Sequence, residues 1–262
     1  MDTEHPVQEP EVLRERLSLL KVPLDIIALE QLGDIIRTLL DSGGGKNIVL
    51  LSLWDLLRAR RNKEYRSYVL SAALVIPISR SLVGGARFII DKQVPRYMPF
   101  EFVVRILTSL EERELSLYLL GGKLRTLRKA EKNIRQTFPC LRIVGRYVGY
   151  FKKAQEKSIL EAIRKASPSL LLVGKGIAGG ERWIAKHDAC LPGGLRLWCS
   201  DLFEIFAEQR KHPSRYSFDH GLEWIGFCLQ KPIRVFKLFP YLYYKSLLLV
   251  YRLFKQEDAS QK

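Results

Sequence analysis

The chain is poor in the residues that most often announce a site. Its four cysteines (Cys140, Cys190, Cys199, Cys228) show no C-x-x-C spacing, which argues against a zinc ribbon or a thioredoxin-type site and leaves reduced, buried thiols as the plainer reading. The four histidines (His5, His187, His212, His220) share no metal-ligand spacing. No Asp-x-Asp pair occurs, so an enzyme of this sequence acting on a sugar nucleotide would lack the usual carboxylates for a divalent ion, and no metal or other cofactor is expected. The longest uncharged stretch, which takes in Tyr68 to Ser79, falls well short of the ~20 apolar residues of a spanning helix. Asp2, Glu4, Glu9 and Glu11 open the chain without a Lys or Arg, the opposite of a secretory signal, so export by that route is not expected. Glycine (18) and proline (12) are too thinly spread for a collagen-like or linker-like chain.

Acid is also scarce: 28 Asp+Glu face 43 Lys+Arg over 262 residues, a net charge of +15. With 47% hydrophobic residues the chain can bury a full core, as one large α/β domain or two smaller ones.

Periodicity then gives the fold class. Leu19 to Ile27 reads as a short apolar strand, and Leu29, Leu32, Ile35, Ile36, Leu39 and Leu40 follow at helical spacing up to the Ser42–Gly45 stop. Asn47–Ser52 and Ala73–Pro77 are continuous apolar runs of strand length, with helical sequence containing Lys63-Glu64-Tyr65 between them. Strand 115–120, helix 123–136, strand 141–144, helix 155–166, strand 170–173 and a helix from about Gly180 continue the alternation. Such a pattern implies an α/β fold, a Rossmann-like, mostly parallel sheet with flanking helices. Ligands then belong at the carboxyl ends of the strands, where Gly121-Gly122-Lys123, Gly145 to Gly149 and Gly174 to Glu181 lie.

A strand ending in Gly-Gly-Lys before a helix offers backbone N–H groups and a positive helix end to a phosphate; the plainer reading is a tight turn that needs φ > 0. Glu181 would accept hydrogen bonds from a ribose or uracil, or else serve as a first-turn acid. From Trp224 to Lys255 there are six basic residues, nine aromatics and no acid. This basic, aromatic helical appendage, with a boundary near residue 220, reads as an element for an anionic membrane surface, ahead of a helix pair packed on the sheet and of a nucleic-acid surface.

Taken together, Leu120-Gly121-Gly122-Lys123, Ala130-Glu131-Lys132-Asn133, Phe138-Pro139, Val144-Gly145, Gly149-Tyr150-Phe151, Val173-Gly174-x-Gly176, Glu181-x-Trp183-Ile184 and Gly221-Leu222-Glu223-Trp224 resemble the WecG/TagA/CpsF glycosyltransferases. Val22-Pro23-Leu24-Asp25, Lys63-Glu64-Tyr65, Pro77 and Arg96 extend the resemblance over residues 16 to 240. It implies an inverting enzyme that moves an N-acetylmannosamine-like sugar from UDP to a polyprenyl-diphosphate-linked acceptor, cytoplasmic and peripheral on the inner membrane face, in cell-surface polymer synthesis. The implied division is a polar tail (1–15), an α/β domain (16–220) with an acceptor-side half (about 16–112) and a UDP-sugar-side half (about 113–220), and a membrane-associating appendage (221–262). Donor binding would fall to Gly121, Gly122, Lys123, Gly149, Tyr150, Gly174, Gly176 and Glu181, and diphosphate or membrane contact to Arg234 and Lys237. A homo-oligomer stays open and no nucleic-acid partner is expected.

The departures fall at chemistry-bearing positions. A family Thr and Asn correspond to Leu50 and Ser52, and the family's Asp-Gly after Pro77 is Ile78-Ser79, so its general base is missing. The Gln of Pro-x-Gln-Glu is replaced at Gly180, the Gly and Asp after the Arg motif are Pro99 and Glu101, the glycines before Asp201 are Leu197 and Trp198, and a basic residue after Trp224 becomes Phe227. Arg96 and Glu101 are the remaining catalytic candidates, Glu101 as base or simply as a helix-start carboxylate. Two other functions stay open: a silent paralogue that partners a true transferase, and a basic nucleic-acid binder motivated by charge alone.

Overall fold

The computed structural model describes residues 14–211, Phe218 and the helix at 238–260. Its centre is a six-stranded sheet of β3 (Gly45–Leu51), β4 (Leu74–Pro77), β5 (Ser116–Leu120), β6 (Arg142–Tyr147), β7 (Leu170–Val173) and β8 (Gly194–Trp198). Their order is β4-β3-β8-β7-β5-β6 and every pairing is parallel. The α/β class expected from alternating apolar runs is the one observed.

The run Leu19–Ile27 is not one strand. It folds as an antiparallel hairpin of β1 (Glu15–Leu19) and β2 (Val22–Ile26) around Leu20 and Lys21, with φ of 51° and 64°. Positive φ at both turn residues matches the right-handed twist of the flanking strands. Asp25 pins the hairpin to the sheet: fully buried, it accepts from Arg14 Nε at 2.9 Å, Arg16 Nε at 2.7 Å and the Val75 N–H at 2.6 Å.

Successive strand residues point to opposite faces, so each strand feeds two apolar layers. Val49, Leu51, Leu120 and Val173 face α2 (Leu53–Arg61), α3 (Lys63–Ser71), α4 (Arg80–Ile90), α7 (Glu156–Ala166) and α8 (Glu181–Lys186). Ile48, Leu50, Leu119 and Leu172 face α1 (Leu32–Asp41), α5 (Pro99–Glu111), α6 (Leu124–Thr137) and α9 (Leu202–Phe206). The helical sequence between β3 and β4 is two helices, because Asn62 ends α2 and caps α3 by accepting from the Tyr65 N–H at 2.7 Å.

The C-terminal helix α10 (Leu238–Ser260) lies against α4. Tyr244 is wholly buried and donates to the Ser81 carbonyl at 2.9 Å, and its hydroxyl occupies the space a Cβ at Gly85 would take. Arg252 lies over the ring of Phe88 across this contact at 4.3 Å, and Arg61 of α2 lies over the ring of Tyr243 at 5.2 Å. Phe239, Leu242, Leu249 and Leu253 stay exposed. The expected boundary near residue 220 lies outside the described residues. Among those described, no helix is long and apolar enough to cross a membrane.

Candidate active site at the carboxyl edge of the sheet

From β5 the chain crosses outward to edge strand β6, whereas from β7 it crosses inward to β8. The loops after β5 and β7 therefore diverge and leave a crevice, the usual ligand position in a sheet of this kind. Three expected glycine loops meet there. A Cβ on Gly121, where φ is +132°, would come within 2.8 Å of the Gly174 backbone; one on Gly149 would lie 2.7 Å from the Lys175 carbonyl, and one on Gly174 2.5 Å from the Phe203 ring. Glycine is required because three backbones touch.

The N–H groups expected to cradle a phosphate are used inside this junction. Gly122 donates to Lys175 O at 2.6 Å, Gly149 to Gly122 O at 2.8 Å, Tyr150 to Gly176 O at 2.6 Å, Gly174 to Leu120 O at 2.7 Å and Gly121 to Tyr147 O at 2.9 Å. These five N–H groups bind within the junction, in keeping with the tight-turn reading, while the Lys123 and Tyr150 side chains are exposed beside it. Lys123 is exposed at the start of α6 and makes no side-chain cap there. Tyr150 is 61% exposed at φ 59°, its ring over Gly176, where a Cβ would come within 2.6 Å of the ring. A non-glycine residue in the left-handed region, presenting an open aromatic face, is a strained feature of the kind found at ligand sites.

Glu181 opens α8 but turns inward. It is 4% exposed and accepts the Tyr65 hydroxyl at 2.5 Å, tying α8 to α3 across the two halves of the chain. Burial, reinforced by nearby Asp55, raises its carboxyl to about 7, against the lowering pull of the Tyr65 hydroxyl and of Arg58, whose guanidinium lies 4.1 Å from the Tyr65 ring centre.

At the ends of β3 and β4 side chains replace the backbone as building material. Ile78 holds its N–H on Leu51 O at 3.0 Å and packs against the apolar layer of α1 and α5. Its carbonyl accepts Arg96 Nε at 3.0 Å, while Arg96 Nη1 reaches Phe218 O at 2.6 Å and the guanidinium lies over the Phe218 ring at 3.7 Å. Arg96 is thereby anchored on the Ile78 carbonyl and on Phe218. Glu101 is half-buried in the first turn of α5, where a carboxylate complements the helix dipole. Arg234 and Lys237 lie outside the described residues.

Sequence reading passed over the pair that closes β3. Ser52 Oγ donates to Asp55 Oδ2 at 2.5 Å, and the Ser52 N–H reaches the same oxygen at 3.0 Å. The Ser-x-x-Asp spacing ahead of a helical run is a legible capping box. Tyr65, 116 residues from Glu181, had no such signal.

The sheet is parallel and carries a glycine-built crevice at its switch point. The chain belongs to the glycosyl transferase WecG/TagA/CpsF family, whose model matches residues 17–262. It is similar to the N-acetylglucosaminyldiphosphoundecaprenol N-acetyl-beta-D-mannosaminyltransferase of Bacillus spizizenii, with 22% identity over 197 residues that cover 75% of this chain and 76% of the relative.

Proposed function

We propose that the protein transfers an N-acetylmannosamine-like sugar from UDP to a polyprenyl-diphosphate-linked acceptor, with inversion, in cell-surface polymer synthesis. The observation that carries this reading is the glycine junction at the β5/β7 switch point, with Tyr150 and Lys123 at its mouth, in a chain of this family. Tyr150 stacks on the uracil, and Lys123 with the α6 N-terminus faces the diphosphate. The acceptor hydroxyl forms a bond to the anomeric carbon as the bond to UDP breaks; Glu101 takes the hydroxyl proton and Arg96 stabilises charge on the departing diphosphate. No metal takes part.

The apolar face of α10, with Lys245 and Arg252 beside it, holds the enzyme on an anionic membrane where the acceptor resides. Replacing Leu242, Leu249 and Leu253 together by Glu should abolish sedimentation with anionic liposomes.

Calorimetric titration with UDP tests the donor site, since UDP requires no choice of sugar. Micromolar affinity is expected, followed by transfer from UDP-N-acetylmannosamine to a lipid-linked N-acetylglucosamine diphosphate; folded protein that binds no UDP would overturn the reading. A second reading, a silent paralogue regulating a true transferase, is favoured by Ile78 packed into the apolar layer. UDP binding with no transfer to any lipid acceptor would select it.

A further inference from the structure

The three segments that meet at the crevice, 121–125, 145–155 and 174–181, carry surface charge of one sign. Lys123, Arg125, Lys152, Lys153 and Lys175 are exposed and, among the described residues, form no ion pair. Glu181 is the one acid in these segments, and it is buried against Tyr65. Asp201, beyond the end of β8, is already paired with Arg210 at 2.8 Å. Cations gathered with no local acid repel one another, a cost that an anionic ligand removes.

Within this group Lys123 and Lys175 differ from the rest, because the junction ties their backbones together. The Lys175 carbonyl accepts the Gly122 N–H at 2.6 Å, so its α-carbon and that of Lys123, the next residue, are at most about 10 Å apart. The same carbonyl lies 2.7 Å from where a Cβ on Gly149 would be, which leaves it no room to shift. Lys175 is flanked by Gly174 and Gly176, so it bears the one side chain on the three residues that follow β7. Two ammonium groups on flexible stems thus start from one rigid hydrogen bond, on the two loops that diverge at the switch point. A lone phosphate is small enough to be served by one of them; a diphosphate, with charged oxygens on two phosphorus atoms, has the length to engage both.

We infer that Lys175 is a further catalytic residue of the transfer reaction, which shares the donor diphosphate with Lys123. The assignment rests on the UDP reading of the crevice. As the acceptor oxygen bonds to the anomeric carbon, the bond from that carbon to the β-phosphate oxygen breaks and its electron pair stays on the phosphate, while the hydroxyl proton passes to Glu101. UDP therefore leaves with one more negative charge than its diphosphate held in the sugar nucleotide. Lys123, at the α6 N-terminus, meets charge that is present from the start; Lys175, on the β7 loop, meets charge that grows as the bond breaks.

Calorimetric titration of the full-length protein with UDP and with UMP, beside single-turnover transfer, tests this. Lys175→Ala should weaken UDP about 20-fold and leave UMP unchanged, so that the preference for a diphosphate collapses, and Lys175→Arg should restore most of it. Transfer should fall about 10²-fold in Lys175→Ala. Lys165→Ala, which removes the same charge from the far end of α7, should alter none of these. If Lys175→Ala weakens UDP and UMP alike, the residue is a structural part of the junction and the proposal is overturned; an equal loss in Lys165→Ala, which would reduce the effect to overall charge, overturns it too. Wild-type protein that binds no UDP would overturn the reading of the crevice and this assignment together, whereas wild-type binding that Lys175→Ala leaves intact would overturn the assignment alone.

Discussion

The two halves of the sheet's carboxyl edge are built from different material. At β5 and β7 the geometry is backbone on backbone, with side chains excluded by contact distances under 3 Å. At β3 and β4 it is side chain on backbone: Arg96 on the Ile78 carbonyl, and Ser52 locked to Asp55. A backbone-built site tolerates drift in surrounding side chains but not a single added methyl group. A side-chain-built site can be rewritten residue by residue while the fold persists.

The largest expected effect tests the backbone half. Gly121→Ala places a Cβ against the Gly174 backbone at φ +132°, combining left-handed strain with overpacking for a loss of about 4 kcal/mol. Urea unfolding measures it, and an unchanged midpoint would break the contrast. Next comes the bridge between the halves. Because burial raises the Glu181 carboxyl from its ordinary 4.5 to about 7, the folded state binds the extra proton between those values, so stability falls as pH rises from 4.5 to 7 and is level above. Relative to Glu181→Gln, which keeps a neutral partner for Tyr65 at every pH, the wild-type protein should lose about 3 kcal/mol across that window in thermal melts. A parallel pair of curves would show that Glu181 is not held neutral by the fold.

The side-chain half is sharpened by Arg96→Ala. Transfer should drop roughly 10²-fold, about 2.7 kcal/mol, and the UDP affinity by less, since charge on the diphosphate grows as its bond to the sugar breaks, measured by single-turnover assay beside calorimetry. Equal losses in both would reduce Arg96 to a ground-state contact of UDP. The smallest effect belongs to Tyr150→Asn, which keeps a residue tolerant of the left-handed region but removes the ring; UDP should bind about 5-fold more weakly, near 1 kcal/mol, by the same titration.

Much of this was legible in the sequence because buried parallel strands are continuous apolar runs, and β3, β4, β5 and β7 are of that kind. The hairpin was hidden because its turn uses Leu20 and Lys21 rather than Gly or Asn, so nothing local marks the reversal. Strand β8 was missed because Arg196 interrupts it. A charge mid-strand reads as surface until Asp188 and the Leu191 and Pro192 carbonyls, the last at 2.9 Å, are seen around it. The glycine positions were visible, but the fate of their N–H groups was not, since the acceptors come from loops dozens of residues apart. The same separation concealed the Tyr65 partner of Glu181.

Strand β8 is the last of the six in sequence and yet stands third in the sheet, between β3 and β7, which do not pair with each other. During synthesis the first two strands and the later three form edges facing a gap one strand wide, and only residues 194–198 can fill it. Each half meanwhile shows an unpaired central edge, the kind of surface that recruits other chains. Closure depends on pairing Gly45 with Gly194, 149 residues away, so the slow step of folding should be the arrival of this keystone, and any lesion in β8 should appear first as aggregation of nascent protein rather than as a lower melting temperature.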